Sequence, residues 1–394
     1  MSADIQPIVI PYPSLVSKDA SLPALIQQAF DSSDSSLGLV IISDLPPEFP
    51  ALRKRLLLLS NAFASLPEET REKYSHMGSN YSYGWSHGKE IMNGKPDILK
   101  GSYYNNPVYD ESPGLCEGDA PVQNIWPKEK GVEGYEEAFK ELCKLMVEVG
   151  GLVAAACDQL VGGAGTASTK SVEELVRQSH SSKARLLHYV SRSAIQFVLP
   201  LLTPIPEQFP RNDSVFSLPP SSSLPDAPRD EAIDDSWCGT HIDHSLLTVL
   251  CPSLYLFHPT SNDNLEPLLI PSPSKSTGLF IKTRSGKIVQ ATIPENCLAL
   301  QTGETLELLT SQRLAATPHF VNATADALSR RALEAIEKQK EADPAWKDVE
   351  SGTVSRETLA VFLQPNHDEV ISTEGETFGA FSARVFKRHY EEAK

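Results

Sequence analysis

No apolar run in this sequence approaches the roughly 20 residues that a membrane-spanning helix requires. The opening MSADIQPIVIPYPSL also lacks the basic start and apolar core of a secretory signal. The six cysteines, Cys116, Cys143, Cys157, Cys238, Cys251 and Cys297, include no Cys-x-x-Cys pair. They read as reduced thiols, neither a zinc ribbon nor a disulfide framework. Basic charge is in deficit: 35 Lys and Arg stand against 51 Asp and Glu, a net charge of −16. That argues against a broad nucleic-acid-binding face but leaves room for a small basic pocket around an anionic ligand. The glycine cluster VGGAG carries no following Lys-Ser/Thr, so it reads as a helix terminus and not a phosphate loop. No Ser or Cys has a neighbouring base suited to nucleophilic catalysis. A soluble cytoplasmic protein is expected, with a small molecule as partner and neither membrane nor nucleic acid.

What the chain does have is 30 prolines and many short apolar runs, a pattern of strands and turns more than of a helical bundle. Residues 1–180 read as a mixed, largely helical region. SLPALIQQAF and ALRKRLLLLSNAFASL are amphipathic helices, and GLVIISDLP is a short buried strand. PEETREKY begins a further helix, with Pro67 in its first turn. Residues 80–126 show no helical or strand periodicity and read as one long functional loop. From Glu133 to Leu160, Tyr135, Phe139, Leu142, Met146, Val149 and Val153 form the stripe of a long backbone helix.

Residues 181–394 change character. ARLLHYV, AIQFVLPLL, SLLTVLCPSLYLF, GLFIKT, KIVQATI, CLALQTG, ATPHFVNA and LAVFLQP are strand-like runs separated by turns, which suggests a barrel or jelly roll. Two insertions interrupt them: a Pro/Ser-rich stretch at 203–236 and a charged amphipathic helix at 325–349. The expected fold is mainly β with flanking helices, a double-stranded β-helix (jelly-roll) core behind a helical N-terminal region.

WCGTHIDHSLLTVL, residues 237–250, places two histidines and an aspartate within four positions. If 240–250 is a strand, His241 and Asp243 project from one face while Ile242 and His244 project from the other. An imidazole and a carboxylate side by side are two of the three ligands of a non-haem Fe(II) site, which leaves coordination positions open. The third must come from a distant strand. His319 in ATPHFVNA is the leading candidate, and His258, beside Pro259, is the competitor. Zinc is the rival metal for such a donor set, and it would imply hydrolysis or a structural role.

In order along the chain, HIDHSLLTVL, GLFIKTRSGKI, LALQTGE, TPHFVNA and SRETLAVFLQP resemble the iron- and 2-oxoglutarate-dependent dioxygenase superfamily. The nearest branch is that of isopenicillin N synthase, and GLVIISDLP and SLPEETREKY resemble that branch's N-terminal region. The resemblance implies a jelly roll with His241, Asp243 and His319 as both metal ligands and catalytic centre. It also implies Fe(II), 2-oxoglutarate and O2 as cofactor and co-substrates. The family holds the distal carboxylate of 2-oxoglutarate with an Arg-x-Ser or Arg-x-Thr pair, matched here by Arg356 and Thr358. A guanidinium fork suits a carboxylate better than an ammonium does. Arg356 lies further beyond His319 than is usual in the family, a gap explained if the inserted helix loops out. Arg330 and Arg331 are nearer in sequence but read as exposed helix. Tyr189 matches a tyrosine that in relatives donates to the same carboxylate; the alternative is a core aromatic satisfied locally.

YSYGWSHGKEIMNGKPD and GETFGAFSARVF resemble, more loosely, microbial ethylene-forming enzymes, which hold an amino-acid substrate by charge pairs. On that likeness Glu90, Arg185 and Arg384 fall at the substrate contacts, with internal salt bridges as the alternative role for the two arginines. Tyr83, Trp85 and His87 are candidates for lining the same entrance, or for packing their own loop. The expected function is oxidation (hydroxylation, desaturation or oxidative cyclisation) of a small carboxylate-bearing substrate such as an amino acid. Two alternatives stand beside it: an isopenicillin N synthase-type oxidase that needs no 2-oxoglutarate, and a jelly-roll protein that binds metal or ligand without turnover.

Overall fold

The computed structural model describes residues 6–89, 91–92, 95–96, 98–114, 120–162, 167–191, 195–196, 236–260, 265–274, 276–322 and 328–391. Glu90 and nearly all of the 203–236 insertion lie outside the described residues. The strands in chain order begin with β1 (Ile8–Pro11), β2 (Leu39–Ser43) and β3 (Gly84–His87). Next come the short β4 (Ile91–Met92) and β5 (Lys95–Pro96), β6 (Lys100–Asn105), and the short β7 (Glu111–Ser112) and β8 (Val122–Gln123). They continue with β9 (Lys183–Val190), β10 (Ile195–Gln196), β11 (Ser236–His241), β12 (Leu247–Leu250), β13 (Leu254–Pro259) and β14 (Leu268–Ile270). The last are β15 (Gly278–Lys282), β16 (Ile288–Ala291), β17 (Leu298–Thr302), β18 (His319–Asn322) and β19 (Ser351–Leu363). The helices are α1 (Tyr12–Val16), α2 (Leu22–Phe30), α3 (Phe49–Ala64), α4 (Glu68–Glu72), α5 (Tyr135–Val161), α6 (Val172–Arg177), α7 (Glu304–Leu309), α8 (Arg330–Ala342) and α9 (Phe378–Glu391).

The fold is mixed helix and sheet. An eleven-stranded sheet has the main order β1-β2-β17-β12-β19-β9-β6-β3, and a four-stranded sheet has the order β11-β18-β15-β16. One apolar cluster joins the two sheets: Leu187, Tyr189, Ala299 and Ala360 from the large one meet Cys238, Leu279, Ile281 and Val321 from the small one. The other face of the large sheet, with Leu186, Val249, Leu359 and Leu363, packs on α2, α3 and α5. Alternation along β9 and β19 thus divides each strand between two cores.

The first half of the chain is not separate from this sheet. β2 pairs with β17, and β6 pairs with β9. The segment read as one long loop carries β3 and β6, whose Tyr103 and Trp85 pack into the helical core. Pro67 precedes α4 as its N-cap residue instead of standing in the first turn. The predicted backbone helix is α5, which Gly134 and Gly162, both at positive φ, bound at its two ends. α8 is the predicted inserted helix, capped by Ser329. Ala332 and Ile336 tuck under Phe257, Ile270 and Trp346, so α8 stands outside the inter-sheet core.

α5 comes close to the sheet at Gly150, where an added Cβ would stand 2.2 Å from Leu363 Cδ1 and 3.2 Å from Val249 Cγ2. Gly150→Val is therefore expected to lower stability by about 1–3 kcal/mol through overpacking, read as a fall in the urea midpoint.

Candidate metal centre and the cavity beside it

β11 and β18 run antiparallel with His241 directly opposite His319. Their rings stand 4.4 Å apart at 55°. Asp243 was expected on the same strand face as His241, but β11 ends at His241 and β12 begins at Leu247. The reason is topological: β11 belongs to the small sheet and β12 to the large one, so the chain turns between them. That turn folds the Asp243 carboxylate back, with Oδ1 3.6 Å from His241 Nε2 and 3.8 Å from His319 Nε2. Ligand atoms of the three side chains all lie within 4.8 Å of one another.

Backbone contacts hold the turn. The Glu304 amide donates to Asp243 O at 2.7 Å, the Gly303 amide donates to Leu246 O at 3.0 Å, and the Thr305 hydroxyl donates to His244 O. Gly303 permits this approach, because a Cβ there would stand 2.1 Å from Ser245 O. Each imidazole is oriented by its second nitrogen: His241 Nδ1 lies 2.8 Å from Gly239 O, and His319 Nδ1 lies 3.3 Å from Thr317 O. Both Nε2 atoms are thereby left for a metal, as ligating histidines require.

Burial and the neighbouring His241 pull His319 down to about 4, so its imidazole is neutral at physiological pH. Burial pushes Asp243 up, but His319 and His241 outweigh it and the carboxyl is lowered. Burial also pulls His241 down, yet Cys238 and Asp243 outweigh it and raise the group to about 9. Cys238, whose Sγ is 3.8 Å from His241 Nδ1, carries no signal in the sequence. Two imidazole nitrogens and a carboxylate, buried except for His241 at 31% side-chain exposure, fit a ferrous ion with open positions on that side.

His258, the competing ligand, faces away. It lies on the helix side of β13, with Nε2 2.9 Å from Ser355 Oγ. Beside it Asn61 of α3 donates to the fully buried Glu357 at 2.9 Å, and His188 Nδ1 lies 2.7 Å from the same oxygen. This polar cluster ties α3 to β19 on the helix side of the large sheet.

On the inward face of β19, Arg356 is flanked by Tyr189 of β9 and Tyr255 of β13, and Lys100 of β6 lies beyond Tyr189. The Arg356 guanidinium sits 5.1 Å from the Tyr189 ring centre. It is 7% exposed, and its Nε and Nη1 have no hydrogen-bond partner among the described residues. Thr358, two residues on, shares the face and donates to Cys251 O at 3.1 Å. Arg330 is exposed and paired with Glu334 on α8.

Arg185 lies on the inward face of β9, donating from Nε and Nη2 to Ser102 Oγ at 3.0 and 2.7 Å, with Tyr104 beneath its guanidinium. Arg384, the other arginine expected at the substrate contacts, lies on α9 and is roughly half exposed, in the alternative role of an ion pair, bidentate with Glu376. The segment Gly375–Arg384 turns into a helix whose first turn packs Phe378 and Phe381 inward, and Arg384 falls on another face. Trp85 packs edge-on to Phe63 in the helical core, His87 reaches Ile98 O, and only Tyr83 of that trio stands beside an inward-facing residue, Lys183. The inward side chains of β6, Lys100, Ser102 and Tyr104, were missed in the sequence. Their alternation with Gly101 and Tyr103 was the available signal.

No protein-family model matches the chain, and comparison by sequence with curated proteins finds no match. Solved structures do share its fold. A full-length Neurospora crassa protein in complex with α-KG (2-oxoglutarate) superposes with a TM-score of 0.59 at 16% identity over 98% of each chain. JOX2 in complex with 2OG, Fe and JA gives 0.57 at 14% identity, covering 98% of this chain and 85% of that one. The rice dioxygenase for auxin oxidation gives 0.52 at 13% identity, covering 97% and 95%.

Two outcomes test this geometry. Gly303→Ala, which touches no metal donor, is expected to weaken Mn(II) binding at least tenfold in calorimetry by displacing the Asp243 turn. The second concerns His258, which burial and the neighbouring His188 pull down to about 4. The unfolded chain titrates this group near pH 6.5, so it binds a proton there that the folded chain does not. The associated stability is present above about pH 6.5 and is lost as pH falls towards 4. His258→Gln is expected to flatten that limb of the urea-midpoint curve.

Proposed function

We propose that the protein is an Fe(II)- and 2-oxoglutarate-dependent oxygenase of the branch resembling isopenicillin N synthase. In this reading the two facing sheets are a jelly roll, and the enzyme acts in the cytoplasm on a small carboxylate-bearing molecule such as an amino acid. The observation that carries it is a pair of sites on one interior: a convergent His241–Asp243–His319 set, and a buried Arg356 whose Nε and Nη1 lack partners among the described residues. A buried guanidinium without an acid is costly unless an anion completes it. A dicarboxylate that reaches from Arg356 to the metal donors does so.

His241, Asp243 and His319 would hold the iron, and Arg356, Thr358 and Tyr189 the distal carboxylate of 2-oxoglutarate. Bound together, these groups supply an oxidant that removes hydrogen from an unactivated carbon, with succinate and carbon dioxide as co-products. The chain's own part is to orient and to exclude water. The carbonyls of Gly239 and Thr317 fix the imidazole tautomers, and the α7 N-terminus fixes the Asp243 turn. Tyr189 and Tyr255 flank Arg356 and limit how its fork can lie. Arg185, braced by Ser102 and Tyr104, stands on the same inward face of β9.

With Fe(II) and 2-oxoglutarate the protein is expected to take up O2 and release succinate; absence of both would overturn the reading. Under nitrogen, Arg356→Met is expected to lower 2-oxoglutarate affinity at least tenfold in calorimetry. Arg356→Lys is expected to restore little of it, because an ammonium cannot reproduce the bidentate fork. Unchanged affinity in Arg356→Met would place the co-substrate elsewhere.

A further inference from the structure

One tier of the inter-sheet space holds two buried polar groups that nothing among the described residues satisfies. Paired positions across the large sheet at the level of Thr248 are Leu39, Gln301, Thr248, Phe362 and Lys183, on β2, β17, β12, β19 and β9. Ile41, Ala299, Leu250 and Ala360, each two residues away on its strand, line the core between the sheets, so this tier faces inward. Thr248 fastens the tier to the metal donors, since its side chain hydrogen-bonds the Asp243 carboxylate and lies 2.9 Å from Ser245 Oγ.

At one end Gln301 is 1% exposed, and neither its amide oxygen nor its amide nitrogen has a partner among the described residues. At the other end Lys183 Nζ is buried, with no hydrogen bond or ion pair among the described residues. Its contact is the Tyr83 ring, 4.8 Å away. Such a cation–π contact offsets only part of the cost of removing an ammonium from water. Burial accordingly pulls the Lys183 amine down to about 7. Arg185, the next inward residue along β9, has its hydroxyl and ring partners, and Arg356 lies three tiers away beside Tyr189.

We infer that Lys183 anchors the anionic group of the primary substrate, whose body lies over Phe362 towards Thr248 and the metal donors. The inference rests on the oxygenase reading and assigns this contact to a residue other than Arg384. Two strand spacings, ~10 Å, separate the backbones of Lys183 and Thr248. The Lys183 amine lies over Tyr83, on the β6–β3 side of β9 and away from Thr248, so the ligand is an elongated acid whose oxidised carbon lies on the order of 10 Å from its charge. The Gln301 amide, on the far side of Thr248, is left to meet a polar group at the ligand's other end.

The test uses the full chain loaded with Mn(II) and 2-oxoglutarate under nitrogen. Calorimetric titration with butanoate, hexanoate, octanoate, benzoate and phenylacetate is compared with titration by the matching primary amides. At least one carboxylate is expected to bind tenfold or more tightly than its amide. Lys183→Met and Lys183→Gln are each expected to abolish that preference, and Lys183→Arg to keep most of it. A wild-type protein with no carboxylate preference, or a preference that survives in Lys183→Met or Lys183→Gln, overturns the assignment. Mn(II) and 2-oxoglutarate binding, measured in the same titrations, separates the two failures. Its loss in the wild type removes the oxygenase reading, and its retention without a carboxylate preference removes only the anchor. Retention of that binding in the variants also shows that they are folded.

Discussion

The pairing of β11 with β18 sets the geometry from which the rest of the centre follows. Because His241 and His319 are cross-strand partners, two imidazoles meet without any long-range adjustment of loops. The third donor needs a different device, since the chain leaves the small sheet immediately after His241. The Asp243 turn is held by the start of α7, and the close fit of Gly303 against Ser245 makes that junction rigid. A sheet register and a helix start therefore supply, respectively, two donors and one.

The electrostatics of the interior oppose those of the protein as a whole. A chain with a net charge of −16 turns Lys100, Lys183, Arg185 and Arg356 towards the space between its sheets. Arg185 is braced by Ser102 and Tyr104, whereas Arg356 and Lys183 rest against tyrosine rings. On the proposed reading, such an interior would favour small anions over neutral molecules of the same shape.

The sequence made some of this legible and hid the rest for identifiable reasons. The strand-like runs indicated a barrel or jelly roll, where the structure has two sheets, and the His-x-Asp pair with a remote histidine indicated three side chains that converge. The residues at 241 and 243 converge, but through a turn between sheets that strand periodicity does not encode. Gly84, Gly88, Gly94 and the asparagines around them masked β3 and β6, so the wall formed by Lys100, Ser102 and Tyr104 went unread. Arg384 came from a local likeness of its segment, and its pairing with Glu376 depends on how α9 packs. Lys183 and Gln301 become neighbours of the same space only through registers across five strands, which no local pattern specifies.

The strand arrangement also divides the interior-facing polar residues between the two halves of the chain. Metal donors and the arginine behind them come from residues beyond 240, whereas Tyr83, Lys100, Ser102 and Tyr104 come from a hairpin placed before the long helix. In the proposed reading, residues that would meet the substrate and those that would hold the metal thus come in part from separate stretches, joined in the large sheet by β9. On that reading, exchange of the 83–105 segment would alter the surroundings of the substrate while His241, Asp243, His319 and Arg356 stayed in place, a modular route by which one scaffold can acquire new substrates.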